Sequence, residues 1–226
     1  MVQIDQISNC FMKLAPLFGI PLFFFLNMFV MADKKHAILG SYQAKSLQSK
    51  DKIVFFYRTA SPAKLEKHKK YPLLVFFHGS GGRGNNNLKQ LTDAGFVEAL
   101  EQQGVLTKRK SHVFAGQVPS GERWVDVGWN LIGHKMPKIS KSMQMALQAI
   151  DVYIEDEKNQ VDPDRIYAMG LSMGGYGTWD AIQRRPNFFA AAVPICGGGD
   201  KKYGGKIAHL PIWAWHGGKD AVIVRS

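Results

Sequence analysis

Residues 170–174 read GLSMG and match the pattern G-x-S-x-G, between a strand-like run at residues 165–169 and a helix-like run at residues 173–185. In that context the pattern predicts a tight strand-to-helix turn that lifts the hydroxyl of Ser172 clear of a sheet. Glycines flank the serine because a Cβ there would collide with the neighbouring strand or helix. The helix N-terminus also favours the negative charge that develops during attack on a carbonyl. A glycine-rich turn with a structural serine is the alternative, and we predict a nucleophile.

Strand-like and helix-like segments alternate on both sides of this turn. Short apolar runs predict buried strands, and longer amphipathic runs predict helices. Ser140 is placed to cap the longest helix. Strands are predicted at residues 52–57, 73–77, 112–118, 165–169, 189–195 and 212–215, and helices at residues 88–103, 140–158 and 173–185. The alternation predicts an α/β fold with a mostly parallel sheet and helices on both of its faces.

The glycine-rich residues 77–85, FHGSGGRGN, follow the strand at residues 73–77 and fit two different functions. Their spacing matches the G-x-G-x-x-G of a dinucleotide-binding loop, but that loop leads directly into a helix, and here three asparagines intervene. The second function is an oxyanion hole, for which we predict the backbone N–H groups of Met173 and Ser80, with Gly79 and Gly81 as neighbours in reach. The sequence favours the oxyanion hole.

Three segments together resemble secreted esterases of the α/β-hydrolase superfamily: residues 165–200, residues 73–82 (LLVFFHGSGG) and residues 211–220 (PIWAWHGGKD). The group is often labelled predicted peptidases or phospholipase/carboxylesterases, and it is akin to polyhydroxybutyrate depolymerases and dienelactone hydrolases. The resemblance runs from about residue 52 to the end. It implies serine-dependent hydrolysis of an ester and does not name the ester.

The resemblance also implies where the other catalytic groups lie. The family carries its acid in a pattern like H-G-x-x-D, which here points to Asp220, with Asp200 as a rival. The base is then a histidine that follows the acid, yet all seven histidines precede Asp220. We therefore expect a C-terminally truncated domain, without its last strand and helix elements, whose catalytic histidine is absent and whose activity is impaired. His216 is a weak substitute, and His78 is expected to support the oxyanion loop.

An apolar run at residues 14–32 ends in Val-Met-Ala, where small or short residues suit a signal peptidase. We predict a signal peptide at residues 1–32, with Met12 as an alternative start, ahead of an incomplete catalytic domain at residues 33–226. The protein would then be secreted or periplasmic. Contact with a membrane is expected only if the run stays uncleaved as an anchor.

The chain is basic, with 29 Lys and Arg against 18 Asp and Glu and a formal charge of +11. No nucleic-acid motif accompanies the charge, so a solvated basic face is favoured over a nucleic-acid site. The spacings C-x-x-C and H-E-x-x-H are absent, and we expect no metal and no cofactor. The expected partner is an ester, either a small molecule or a polymer.

The sequence leaves two alternative functions and the role of two tryptophans undecided. The chain could be a serine peptidase of the same fold, or a non-catalytic protein that binds the cell envelope through its lysines. Trp124 and Trp129 follow the strand at residues 112–118 and either wall a substrate pocket or pack in the core.

Overall fold

The computed structural model describes residues 39–129, 131, 133–220 and 222–223. The chain divides at Gly40, and the fold is that of the second unit, Ser41–Ser226. The predicted signal peptide at residues 1–32 lies outside the described residues. None of the helices in the described ranges is both long and apolar enough to cross a membrane.

A six-stranded sheet forms the centre of the unit, with the spatial order β1-β2-β4-β3-β5-β6. The strands are β1 (Gln43–Gln48), β2 (Val54–Ala60), β3 (Tyr71–Phe77), β4 (His112–Gln117), β5 (Val161–Leu171) and β6 (Ala191–Ile195). Both β1 and β4 pair antiparallel with β2, whereas β4, β3, β5 and β6 run parallel. Residues 212–215 extend the sheet beyond β6 through parallel bridges from Ala192 to Ile212 and from Ile195 to Trp215. The mostly parallel sheet is therefore confirmed.

Four α-helices connect the strands: α1 (Lys89–Thr92), α2 (Phe96–Gln102), α3 (Lys141–Glu155) and α4 (Met173–Arg184). Short 3-10 helices lie at Ser80–Gly82, Asp93–Gly95, Glu157–Asn159 and Lys201–Ile207. The predicted cap of α3 is confirmed, because the Ser140 hydroxyl oxygen accepts a hydrogen bond from the Met143 N–H at 3.0 Å.

Alternate side chains of β3 show that helices cover both faces of the sheet. Leu73, Val75 and Phe77 belong to the main core cluster, which also contains the apolar faces of α3 and α4. Phe76 points to the other face, where its ring stacks on Phe96 of α2. Because β3 is buried on both faces, it reads as an unbroken apolar run in the sequence.

Several predicted boundaries are wrong. The predicted helix at residues 88–103 breaks at Asp93–Gly95, where Ala94 and Gly95 take φ values of 54° and 66°. The predicted strand at residues 52–57 begins at Val54 instead, because Lys52 lies in a turn closed by its own N–H and the Ser49 carbonyl. The strand β1 was not predicted, since its sequence QAKSLQ is largely polar and exposed at the sheet edge.

Candidate active site

Ser172 lies at the sharp turn between β5 and α4, with φ 56° and ψ −118°. Its N–H donates to the Ile195 carbonyl of β6 at 2.8 Å, and its own carbonyl accepts from the Tyr176 N–H at 3.1 Å. Non-glycine residues rarely adopt such a backbone, which costs roughly 1–3 kcal/mol and persists only where the surroundings enforce it. The turn therefore holds the Ser172 side chain at the carboxyl end of the parallel strands.

The glycines around Ser172 allow α4 to approach the sheet closely. A Cβ on Gly170 would stand 2.6 Å from the Phe77 carbonyl oxygen of β3 and overlap the backbone of Gly174. A Cβ on Gly174 would overlap that same Phe77 carbonyl, and one on Gly175 would overlap the Ile195 carbonyl. The obstructing atoms are backbone atoms of neighbouring strands, which cannot rotate away. The collision predicted from the sequence is thus present on both sides of the serine.

The loop after β3 uses some of its backbone groups to hold its own shape. The Gly79 N–H donates to Oδ2 of Asp93 at 2.6 Å, and the Gly82 N–H donates to the Gly79 carbonyl at 3.2 Å. Neither N–H is free to bind a substrate oxygen. This removes Gly79 from the three oxyanion donors considered in the loop.

Three N–H groups remain as candidate oxyanion donors, because the Gly81 N–H, like those of Ser80 and Met173, has no hydrogen bond to another described residue. Ser80 begins the short 3-10 helix, and Met173 begins α4 directly after the serine. Within the described part of the chain, neither N–H has a recorded acceptor. Unsatisfied N–H groups at the start of a helix form a favourable place for an anion. Ser80 and Met173 therefore stay candidates for the two donors that an oxyanion hole requires.

Asp93 is a residue that the sequence analysis missed. It ends the broken helical run, and its carboxylate lies against Gly79 and Gly81, so that a Cβ on Gly81 would stand 2.6 Å from Oδ1. Burial raises the pKa of Asp93, and the Gly79 N–H opposes this shift. The sequence contains one signal for this break. The residues Asp-Ala-Gly, which are typical of turns, interrupt a run that otherwise reads as an amphipathic helix.

His78 supports the oxyanion loop from within the core. Its Nε2 accepts from the Val118 N–H at 3.0 Å, so Nδ1 carries the proton and donates to the Gly79 carbonyl at 2.5 Å. The His78 carbonyl accepts from Nε1 of Trp124 at 3.0 Å. Because both ring nitrogens are occupied and the side chain is fully buried, His78 cannot accept the proton of a serine.

Two buried histidines predict a loss of stability in mild acid. Burial lowers the pKa of His78 and of His112 to about 4, against 6.5 for an exposed histidine. The unfolded chain therefore takes up protons first, and stability falls as the pH drops from 6.5 towards 4. At about 1.4 kcal/mol per pH unit, each imidazole accounts for a loss of up to about 3 kcal/mol. Urea unfolding at pH 7.5, 6.0 and 4.5 measures this loss.

A histidine variant separates this effect from other acid effects. His112→Gln should show a smaller drop between pH 7.5 and 4.5 than the parent chain, whereas His209→Gln, at an exposed position, should keep the full drop. An unfolding free energy that is constant over this pH range would contradict the prediction.

Asp220 follows the extended residues 212–215, at the same end of the sheet as Ser172. Its Oδ1 accepts from the N–H groups of Ile223 and Val222, both at 2.9 Å. These two bonds, with smaller contributions from His216 and the Cys196 thiol, hold the pKa of Asp220 below its usual value. Burial and the charge of Asp220 raise the pKa of Tyr176, in the first turn of α4. Asp220 is therefore an ionised carboxylate close to the turn that carries the serine.

The two remaining candidates, His216 and Asp200, make other contacts. Nε2 of His216 donates to the Ile223 carbonyl at 2.9 Å and lies 3.7 Å from Oδ2 of Asp220. No hydrogen bond between Ser172 and a histidine is recorded in the described ranges. Asp200 accepts hydrogen bonds from the N–H groups of Met136 and Lys202, so both of its carboxylate oxygens are bonded to backbone groups. Those bonds give Asp200 a structural role.

The two tryptophans differ in position. Trp124 is fully buried, and its side chain fills the space above Gly177, so it packs in the core. Trp129 is half-buried, its carbonyl accepts from the Tyr176 hydroxyl at 3.3 Å, and its Nε1 is buried without a partner. Trp129 is partly exposed beside Tyr176 of α4, and its role as a pocket wall stays a prediction. In the described ranges, no group of three or more His, Cys, Asp or Glu side chains could hold a metal ion.

Comparison with known proteins gives matches to hydrolases. A model of the prolyl oligopeptidase family matches residues 115–220. A solved thermostable esterase is 33% identical with a TM-score of 0.74, and the match covers 83% of this chain and 49% of the esterase. An S-formylglutathione hydrolase from Staphylococcus aureus is 16% identical with a TM-score of 0.50, over 74% of this chain and 65% of that one. The second likeness concerns the fold alone.

The chain spans about half the length of the thermostable esterase it matches. A search of curated proteins found no match.

Proposed function

Because this chain belongs to the α/β-hydrolase superfamily, we propose that it is a serine hydrolase of the carboxylesterase type. One observation carries the proposal: Ser172 occupies a strained strand-to-helix turn beside two N–H groups without recorded acceptors in the described chain. A turn of this shape presents a hydroxyl to an acyl carbon and places dipoles where the oxyanion forms. The 33% identity to a thermostable esterase supports an ester as the substrate.

The reaction follows from the placement of these groups. The oxygen of Ser172 attacks the ester carbonyl while its proton passes to a general base, and the carbonyl electrons move to the oxygen. The N–H groups of Met173 and Ser80 stabilise that oxyanion. The tetrahedral intermediate collapses, the alcohol leaves with the proton from the base, and an acyl-enzyme remains on Ser172. Water, deprotonated by the same base, then releases the acid.

We assign the orientation of the base to Asp220, whose ionised carboxylate lies at the same end of the sheet. The base stays unassigned, because no histidine of the described residues hydrogen-bonds to Ser172. His216 is the weaker candidate because its Nε2–H is already donated to the Ile223 carbonyl. If the base is removed, an oxyanion site alone still accelerates such a reaction by roughly 10³-fold over water.

Asp93 is expected to matter for the rate although it does not touch the reacting atoms. Asp93→Ala removes the acceptor of the Gly79 N–H and frees the loop that holds Ser80. We expect p-nitrophenyl acetate hydrolysis to slow by roughly 10–100-fold, the range for a misplaced oxyanion donor. Asp93→Asn keeps the size and one acceptor oxygen, and should retain most of the rate. Equal rates for Asp93→Ala and the parent chain would contradict this role.

Peptide hydrolysis is a second candidate, because the matching family model at residues 115–220 is that of the prolyl oligopeptidases. Two substrates that share the acetyl group but differ in the leaving group distinguish the two functions: p-nitrophenyl acetate, an ester, and p-nitroacetanilide, an amide. We expect the ester to be cleaved and the anilide to show no turnover. Faster cleavage of an acylated peptide amide than of the ester would establish the peptidase instead.

A further inference from the structure

Two basic loops meet at the end of the sheet that is opposite Ser172. Residues 61–70 lead into β3, and residues 104–111 lead into β4, so both loops lie at the amino ends of parallel strands. The loops contain seven Lys and Arg and a single acid, Glu66. Every one of those seven side chains is exposed. We call the two loops together the basic end; the cations are Lys64, Lys67, Lys69, Lys70, Lys108, Arg109 and Lys110.

Glu66 forms ion pairs with both loops and so connects them. Its carboxylate pairs with Lys110 of the second loop at 2.7 Å and with Lys69 of the first at 2.5 Å. Its N–H donates to the Tyr71 hydroxyl at 2.8 Å, and Nε2 of Gln160 donates to the carbonyls of Glu66 and Lys69. These bonds fix the backbone of the first loop against β3 and β5. The cations therefore project from a fixed backbone, so binding does not have to order the first loop itself.

Most of the positive charge stays uncompensated. Hydrogen bonds from Lys110 and Lys69 lower the pKa of Glu66 to about 2, so its carboxylate is ionised at neutral pH. The negative charge of Glu66 is therefore shared between Lys110 and Lys69. Lys64, Lys67, Lys108 and Arg109 have no ion pair recorded among the described residues. Asp162 of β5 is paired with Arg165, and Glu157 lines a separate cavity with Lys69 and Lys70. The basic end thus attracts anions from solution.

A cavity of about 490 Å³ lies between the two loops. Its lining combines cations with apolar groups, and the residues are Pro62, Ala63, Lys64, Glu66, Leu106, Thr107 and Lys110. Pro62 and Leu106 are buried, whereas Lys64 and Lys110 are exposed. The volume suits one or two sugar rings, with an apolar floor for a ring face and, for a carboxylate or sulfate, the ammonium group of Lys64, which has no ion pair among the described residues.

We propose that the basic end binds an acidic polysaccharide and that one charged sugar enters this cavity. A flat anionic bilayer would leave the cavity empty, and none of the described side chains of the two loops is a large exposed apolar residue that could insert into lipid. Single-stranded nucleic acid is bound largely through base stacking on aromatic rings, and the two loops contain no Phe, Tyr or Trp, with His68 as their one ring. The polysaccharide would lie at the far end of the sheet from Ser172.

The test uses the full chain, polygalacturonate as the acidic probe and dextran as the neutral one. Binding is measured by affinity electrophoresis or calorimetry at several salt concentrations. The variant Lys64→Ala/Lys108→Ala/Arg109→Ala removes three unpaired cations of the basic end. The matched control, Lys201→Ala/Lys202→Ala/Lys206→Ala, removes three exposed cations elsewhere and leaves the same net charge.

We expect the parent chain to bind polygalacturonate and not dextran, with an affinity that falls steeply as salt rises. The first variant should bind at least about tenfold more weakly, and the control should bind like the parent chain. Equal weakening in both variants would overturn the proposal, since net charge alone would then explain binding. Retention on phosphatidylglycerol vesicles but not on polygalacturonate would also overturn it, in favour of a membrane surface.

Discussion

Ser172→Ala is expected to abolish the formation of an acyl-enzyme and to slow p-nitrophenyl acetate hydrolysis at least about 100-fold when imidazole supplies a base. The change removes only the hydroxyl oxygen that attacks the carbonyl. The backbone bonds of the turn, from the Ser172 N–H to Ile195 and from the Tyr176 N–H to Ser172, do not involve that oxygen. Release of p-nitrophenolate at several imidazole concentrations measures the effect.

The control for this prediction is the stability of the variant. Alanine has the same Cβ as serine, so the strain of φ 56° is unchanged and the urea midpoint should match that of the parent chain. A hydroxyl elsewhere in the fold offers a second control: Ser142→Ala, on α3, removes the hydrogen bond to Glu122 and should leave the rate unchanged. Hydrolysis by Ser172→Ala at the rate of the parent chain would contradict the role of this serine.

Gly174→Ala is expected to destabilise the fold by at least about 3 kcal/mol, or to prevent folding. Its new Cβ would overlap the carbonyl of Phe77, a backbone group in the middle of the parallel sheet. Relief requires α4 to move away from β3, which would break the packing of Met173 and Tyr176 in the core cluster. Chemical unfolding monitored by tryptophan fluorescence, together with soluble yield, measures the loss.

A second glycine provides the matched comparison. Gly205 lies in the 3-10 helix Lys201–Ile207, where an added Cβ meets nothing within 4 Å. Gly205→Ala should therefore change the unfolding free energy by less than about 1 kcal/mol, because only the intrinsic backbone preference differs. If Gly174→Ala is as stable as Gly205→Ala, α4 does not approach the sheet as closely as described.

The local features around Ser172 could be predicted from the sequence because they rest on short-range chemistry. The strand, the turn and the helix are adjacent in the chain. Each glycine is needed because a Cβ at its position would collide with a neighbouring backbone, which holds for any turn of this kind. The cap at Ser140 and the apolar run of β3 are equally local. These elements were placed to within a few residues.

The features that were missed depend on contacts between distant segments. The break before α2 exists because Asp93 bonds to Gly79, 14 residues earlier, and periodicity alone continued the helix through it. Trp124 and Trp129 look equivalent in the sequence, yet Trp124 fills the space above Gly177, whereas Trp129 is partly exposed and its carbonyl accepts from the Tyr176 hydroxyl. The polar edge strand β1 forms by pairing with β2, which an amphipathic pattern does not reveal.

The two proposals assign the two ends of the sheet to different tasks. Ser172 follows the carboxyl end of β5 and Asp220 follows the extended residues 212–215, whereas the basic loops lie at the amino ends of β3 and β4. Binding at the basic end would leave the Ser172 end open to solvent. The variants of the basic end are therefore expected to hydrolyse p-nitrophenyl acetate at the rate of the parent chain. The polysaccharide proposal and the hydrolase proposal can thus fail independently of each other.

The most direct test of the central claim is to trap the acyl-enzyme. The 226-residue chain is incubated with p-nitrophenyl acetate, with and without imidazole, then quenched in acid and analysed by intact mass and peptide mapping. We predict one acetyl group on the peptide that contains Ser172, formed faster with imidazole and absent from Ser172→Ala. A chain that carries no acetyl group on Ser172 under either condition, or that is acetylated only on lysines, would contradict the assignment of Ser172 as the nucleophile.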